Sequence, residues 1–137
     1  MPVRRLLIAD DDEDDRLFFC EAIKEIEPPS ECITAADGEE ALKKLKANVN
    51  ELPDYIFLDL NMPRLNGVGC FKELKQDDHL KNIPVIIFST TSSQKEINEM
   101  LALGAKRFII KPTSLKILVD ELLEVFEDNK SNEERDF

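Results

Sequence analysis

Short apolar runs alternate along the chain with longer segments whose apolar residues recur at helical spacing. Leu6-Leu7-Ile8-Ala9 stops at six consecutive acids, Asp10 to Asp15. Showing neither strict alternation nor helical length, it reads as a strand buried on both faces. RLFFCEAIKEI, from Arg16, has helical length, with Phe19, Ile23 and Ile26 on one face, and Pro28-Pro29 ends it. Asp12, with Asp15 three residues later, is a candidate cap for its start, unless these carboxylates are committed to chemistry. Cys32-Ile33-Thr34-Ala35 is a weaker second strand, and Asp37-Gly38-Glu39-Glu40 resembles a capping box before a short helix through Ala41, Leu42 and Leu45. Tyr55-Ile56-Phe57-Leu58 is a third strand ending in Asp59, with Asn61, Pro63, Asn66 and Gly67 punctuating the loop behind it. Val68, Phe71 and Leu74 then share a helical face.

Ile83-Pro84-Val85-Ile86-Ile87-Phe88 is the most β-branched run. Ser93 with Glu96 predicts a cap for a fourth helix through Ile97, Met100 and Leu101, closed by Gly104. Phe108-Ile109-Ile110 is a fifth strand ended by Lys111-Pro112, and Ser114 caps a last helix with the stripe Leu115, Leu118, Val119, Leu122 and Phe126. Residues 129–137 read as a frayed polar tail. Five strands alternating with five helices predict one doubly wound α/β domain over residues 1–128, with right-handed crossovers and no appended DNA-binding or catalytic output domain.

Charge narrows the partners. With 18 Lys+Arg against 29 Asp+Glu, the net charge of -11 disfavours nucleic acid and acidic membrane lipid and favours cationic or metal partners. No apolar run approaches the ~18 residues of a membrane span, and no export signal is visible. Cys20, Cys32 and Cys70 form no CxxC, so neither a disulfide framework nor a cysteine zinc site is indicated, and a reducing cytoplasm is expected. Cys20 and Cys70 read as small packing residues within helices. His79, the only histidine, reads as an exposed loop residue rather than a metal ligand.

The chemistry lies at the strand ends. Asp10-Asp11 follows the first strand, Asp59 the third, Ser89 the fourth and Lys111 the fifth. In an open α/β sheet, groups just beyond the carboxyl ends of strands line the functional crevice. Strands are spaced about 4.8 Å apart, so acids ending adjacent strands can share a hard cation, and Mg²⁺, which prefers oxygen ligands and retains waters, is the natural candidate. An Asp59 nucleophile would then meet an incoming phosphoryl group with the metal and the Lys111 ammonium offsetting repulsion, and Ser89 donating a hydrogen bond. Each residue also has an ordinary role: acids at a solvated helix start, a loop serine, a surface lysine. Their conjunction carries the inference.

LLIADDDEDD, FLDLNMPRLNG, IPVIIFSTTS and GAKRFIIKP together resemble the response-regulator receiver domain, similar to the bacterial chemotaxis receiver and to stand-alone phytochrome-associated receivers. The resemblance runs from Arg4 to about Asp128. It implies a flavodoxin-like fold with a parallel sheet of strand order 2-1-3-4-5. It also implies that Asp10 and Asp11 organise Mg²⁺, with Asp11 the more direct ligand, and that the backbone carbonyl of Asn61 is a further ligand. Asp59 would contact the metal and accept a phosphoryl group from a histidine kinase or histidine phosphotransfer protein. Ser89 would be the switch hydroxyl, Phe108 the switch aromatic and Lys111 the phosphate contact, with a cis bond before Pro112. Phe108, lacking a hydroxyl, would act by packing alone. Thr90 replaces a smaller family residue, and its bulk would hinder water attack on the acyl phosphate. The downstream protein target is unspecified, and the surface of the fourth and fifth helices is a candidate homodimer face.

Two other function classes compete with phosphotransfer signalling and weak autodephosphorylation. One is a phosphorylation-independent protein-binding module. The other is a Mg²⁺-dependent phosphohydrolase, disfavoured because Asp59-Leu60-Asn61 offers no second acid to protonate a leaving group. No GxxxxGK[ST] loop, nucleophile elbow or HExxH motif is present.

Overall fold

Each apolar run sends alternate side chains to opposite faces of one sheet. In the computed structural model, which describes residues 4–91 and 93–135 and only the backbone of 129–135, the strands are β1 (Arg4–Ala9), β2 (Ser30–Ala35), β3 (Tyr55–Leu58), β4 (Val85–Ser89) and β5 (Arg107–Ile110). Helices α1 (Glu13–Lys24), α2 (Gly38–Ala47), α3 (Gly67–Gln76), α4 (Gln94–Ala102) and α5 (Leu115–Arg135) alternate with them. All pairings are parallel, in the order β2-β1-β3-β4-β5. This is the flavodoxin-like, doubly wound arrangement expected. Leu7, Ala9, Ile56, Leu58 and Ile87 pack with α2, α3 and Met100 of α4. Leu6, Ile8, Phe57, Ile86 and Phe88 pack on the other face with Phe19 and Ile23 of α1 and Leu118, Leu122 and Phe126 of α5. A strand covered on both faces has no polar side, which is why its sequence does not alternate.

The caps follow their sequence signals. Asp37 Oδ1 accepts from Glu40 N–H at 2.8 Å, and Glu40 Oε2 accepts from Ala36 N–H at 3.1 Å, a reciprocal box one residue wider than the usual one. Ser93 caps α4, and Gly104, at φ 110°, supplies the left-handed turn after it.

Helix α1 starts at Glu13 behind its candidate cap Asp12, which accepts from Asp14 and Asp15 N–H. Two expectations need correction. Helix α5 continues to Arg135 instead of fraying from Asn129; no Gly or Pro interrupts the stretch, and Lys, Glu and Arg are good helix formers. Asp136 and Phe137 lie outside the described residues. Finally, Lys111–Pro112 is trans, and among the described residues the one cis peptide bond is Glu27–Pro28. The two X–Pro isomers differ by only about 0.5–1 kcal/mol, so a Lys-Pro motif does not itself choose between them.

Candidate functional site

The parallel ladder runs one residue past the strands and thereby sets the site. Asp10 N–H donates to Ala35 C=O at 3.0 Å, Asp59 N–H to Ala9 C=O at 3.0 Å, and Lys111 N–H to Ser89 C=O at 2.8 Å. Three chain segments distant in sequence therefore deliver side chains to one place, at the carboxyl edge where strand order reverses between β1 and β3.

There Lys111 Nζ lies 2.6 Å from Asp10 Oδ2, 2.8 Å from Asp15 Oδ2 and 3.0 Å from Asp59 Oδ2. Asp10 and Ser89 are fully buried and Asp59 nearly so, whereas Asp11 is exposed. Burial pushes the Asp10 carboxyl up to about 6, against the opposing effects of Lys111 and the Asp12 N–H, and the neighbouring Asp59 adds to the rise. For Lys111 burial works against the ammonium, but the carboxylates of Asp10, Asp15 and Asp59 outweigh it and raise its pKa above the ordinary value. Arg16 Nη1 donates to the Asp10 carbonyl at 2.7 Å.

Asp10, Asp11 and Asp59 each offer a carboxylate oxygen within 4.8 Å of the others. Among the described residues this is the group of acids, histidines and cysteines whose spacing suits a metal ion. An all-oxygen donor set with an open, exposed side matches what Mg²⁺ requires. Asn61 N–H donates to Asp59 Oδ1 at 3.3 Å, which turns the chain around the carboxylate, and the Asn61 residue is exposed. The Ser89 hydroxyl, at the end of β4, is buried and has no hydrogen-bond partner, a donor that nothing local satisfies. Phe108 lies outside the charged cluster, half-buried against the α2–α4 side of the core. Thr90 is exposed at the end of β4, and His79 is exposed in the connection after α3.

The loop behind Asp59 is tightly held. Gly67 N–H donates to Leu60 C=O, and a Cβ at Gly67 would stand 2.2 Å from the Asp59 carbonyl oxygen. This close approach requires glycine at the start of α3. Gly38 N–H donates to Leu65 C=O at 3.0 Å, and Arg64, at φ 61°, places Nη2 2.7 Å from Asp37 Oδ2. The cap of α2 and the loop after β3 are thus one unit.

Asp15 and Arg16 are the members of the cluster that sequence reasoning missed. In the sequence Asp15 reads as the partner of Asp12 in a cap, and Arg16 as a polar residue at the head of the amphipathic stretch. The available signal was their position one turn after Asp11 and Asp12, on the helix that leaves the acidic strand end.

Residues 6–123 match the family model described as the response regulator receiver domain. The chemotaxis protein CheY1 of Helicobacter pylori is 29% identical over 118 residues, covering 86% of this chain and 93% of that protein. Among solved structures, the phosphorylated cyanobacterial phytochrome response regulator RcpA aligns with a TM-score of 0.82 at 30% identity, covering 92% of this chain and 93% of that one. CheY in the CheX-CheY-BeF3-Mg complex of Borrelia burgdorferi aligns at 0.78 with 31% identity, covering 90% and 89%. No helix among the described residues is long and apolar enough to cross a membrane. With its sheet order, its strand-end acids and lysine, and a match across most of its length, this chain belongs to the response regulator receiver domain family of two-component signalling.

Proposed function

We propose that the domain works as a stand-alone response regulator in the cytoplasm, accepting a phosphoryl group on Asp59 from a histidine kinase or histidine phosphotransfer protein in a Mg²⁺-dependent reaction. The observation that carries this reading is the Lys111 ammonium lying between Asp10 and Asp59, at the same sheet edge where β4 ends in the buried, unpartnered Ser89 hydroxyl. A nucleophilic carboxylate and a fixed positive charge in contact, with a free donor ending the neighbouring strand, are the equipment phosphoryl transfer needs.

An Asp59 oxygen attacks phosphorus, the phosphorus–nitrogen bond to the donor imidazole breaks, and the imidazole nitrogen keeps the electron pair and takes up a proton from solvent. Asp10, Asp11 and Asp59 with the Asn61 carbonyl would hold Mg²⁺, which when bound would offset the charge of the phosphoryl oxygens. Lys111 contacts a phosphoryl oxygen, and Ser89 donates its hydroxyl to another. Movement of Ser89 opens room into which Phe108 packs, altering the surface of α4, β5 and α5. That surface already exposes Leu101, Leu103, Ile110, Ile117 and Leu123, and it passes the signal to a downstream protein or to a second copy of the chain. RcpA, whose structure is of the phosphorylated form, and CheY with BeF3 and Mg support the reading by likeness.

Turnover is limited to slow autodephosphorylation, because Thr90 stands beside the path of attacking water. Thr90→Ala is expected to hasten loss of the phosphoryl group, read as decay of the phosphorylated mass with time; an unchanged decay would remove Thr90 from the account.

Incubation with Mg²⁺ and a small phosphodonor, followed by intact mass measurement, tests the main reading. The wild type should gain one phosphoryl group only when Mg²⁺ is present, and Asp59→Asn should gain none. A folded, Mg²⁺-binding protein that no donor or kinase modifies would instead be a phosphorylation-independent binding module.

A further inference from the structure

Cys20 and Cys32 do more than fill space. Their sulfurs approach to 2.9 Å, bringing α1 and the sheet-edge strand β2 together at a point both thiols leave half-buried. That separation is already shorter than an ordinary sulfur–sulfur contact, and about 1 Å of further approach reaches disulfide bonding distance. We propose that these two cysteines form a modification site at which a hydroperoxide produces an intramolecular disulfide between α1 and β2.

The surroundings divide the work between the two thiols. The hydrogen bond from Cys32 is the largest influence on Cys20 and, with Lys24 and Arg16 nearby, lowers its thiol to about 7 against the effect of burial. Cys32 is pushed in the opposite direction by the same neighbour and by its own burial. Cys20 is therefore the attacking thiolate and Cys32 the resolving thiol. Cys70, fully buried and pushed up to about 12 chiefly by desolvation, is a bystander.

Both steps balance. The Cys20 thiolate takes one oxygen from the hydroperoxide, the O–O bond breaks, and after protonation the products are a sulfenic acid and water or an alcohol. The Cys32 sulfur then attacks the Cys20 sulfur, the S–O bond breaks, and a second water leaves with the Cys32 proton. The bond ties α1, which supplies Asp15 and Arg16 to the acidic pocket one turn before Cys20, to the strand whose Ala35 carbonyl receives the Asp10 N–H. None of this depends on the phosphoacceptor reading.

The test uses the full chain, reduced, desalted and exposed to hydrogen peroxide, then denatured, alkylated and weighed intact. Free thiols should fall from the three in the sequence to one, so the alkylated protein should carry a single adduct on a chain two hydrogens lighter than the reduced one. A peptide linking Cys20 to Cys32 should appear, the protein should stay monomeric on a non-reducing gel, and dithiothreitol should reverse the change. Cys32→Ser should stop at a sulfenic acid trapped on Cys20 by a dione reagent. Cys20→Ser should lose thiol about tenfold or more slowly than the wild type. Retention of all three thiols, a link involving Cys70, links only between molecules, or a Cys20→Ser variant oxidised as fast as the wild type would each overturn the proposal.

Discussion

The Ser89 hydroxyl is buried without a partner in the resting domain, a state that costs free energy with nothing local to offset it. Ser89→Ala is expected to raise the stability of the unphosphorylated protein by about 1 kcal/mol, seen as a higher urea midpoint at unchanged slope, while abolishing the phosphorylation-dependent change at α4. A lower midpoint would mean that the hydroxyl has a partner in solution. Asp10 makes a second prediction. Its folded pKa, raised to about 6 by burial, exceeds the ordinary 3.8, so between those values the folded protein binds more protons than the unfolded chain. The contribution of protonated Asp10 to metal-free stability is complete below about pH 4 and lost as pH rises through about 6. Mg²⁺ competes with the same proton, so its apparent affinity should fall up to about tenfold per pH unit below 6, measured by calorimetric titration. An affinity flat between pH 5 and 7 would count against Asp10 as a ligand. The acids ending β1 and β3, and Lys111 ending β5, were legible because each interrupts an apolar run. Asp15 was not, because six adjacent acids look alike in sequence and only the rotation of α1 selects the one facing Lys111.

Among the elements, α2 carries the clearest single dependence. Its cap, Asp37, is almost fully buried, bonds Glu40 N–H and pairs with Arg64 from the loop after β3. Asp37→Ala should cost about 1–2 kcal/mol for the cap alone, measured by urea unfolding. It should also slow phosphorylation of Asp59 by freeing the loop that Gly67 seats against the Asp59 carbonyl. If stability falls but phosphorylation does not, that loop is held by Gly38 and Gly67 without Asp37. The capping box was visible in the sequence, but Arg64 as its second partner was not, since a lone arginine between Pro63 and Leu65 carries no pattern. Element identities were readable because a buried parallel strand and an amphipathic helix differ in length and period. The end of α5 was not, since it falls in a charged stretch where helix propensity, rather than burial, decides.

At the scale of the molecule, the α4–β5–α5 side combines exposed Leu101, Ile110, Ile117 and Leu123 with a chain of net charge -11. Like charge opposes self-association, so a dimer through this side needs the apolar patch enlarged or the acidic pocket neutralised. Native mass measurement with Mg²⁺ and beryllofluoride is expected to shift the protein from monomer towards dimer. An unchanged monomer carrying the bound mimic would assign the face to a different protein. The order of the sheet was implied by family motifs rather than by spacing, because five apolar runs alone do not say which neighbours which.

Lys111, held among three carboxylates, gives the domain a resident counter-ion in its idle state. An arriving metal displaces an existing partnership rather than filling a bare nest of charge. The pocket can wait indefinitely without collapsing from self-repulsion, and its grip on magnesium is set by how readily that ammonium changes allegiance to the newcomer's phosphate.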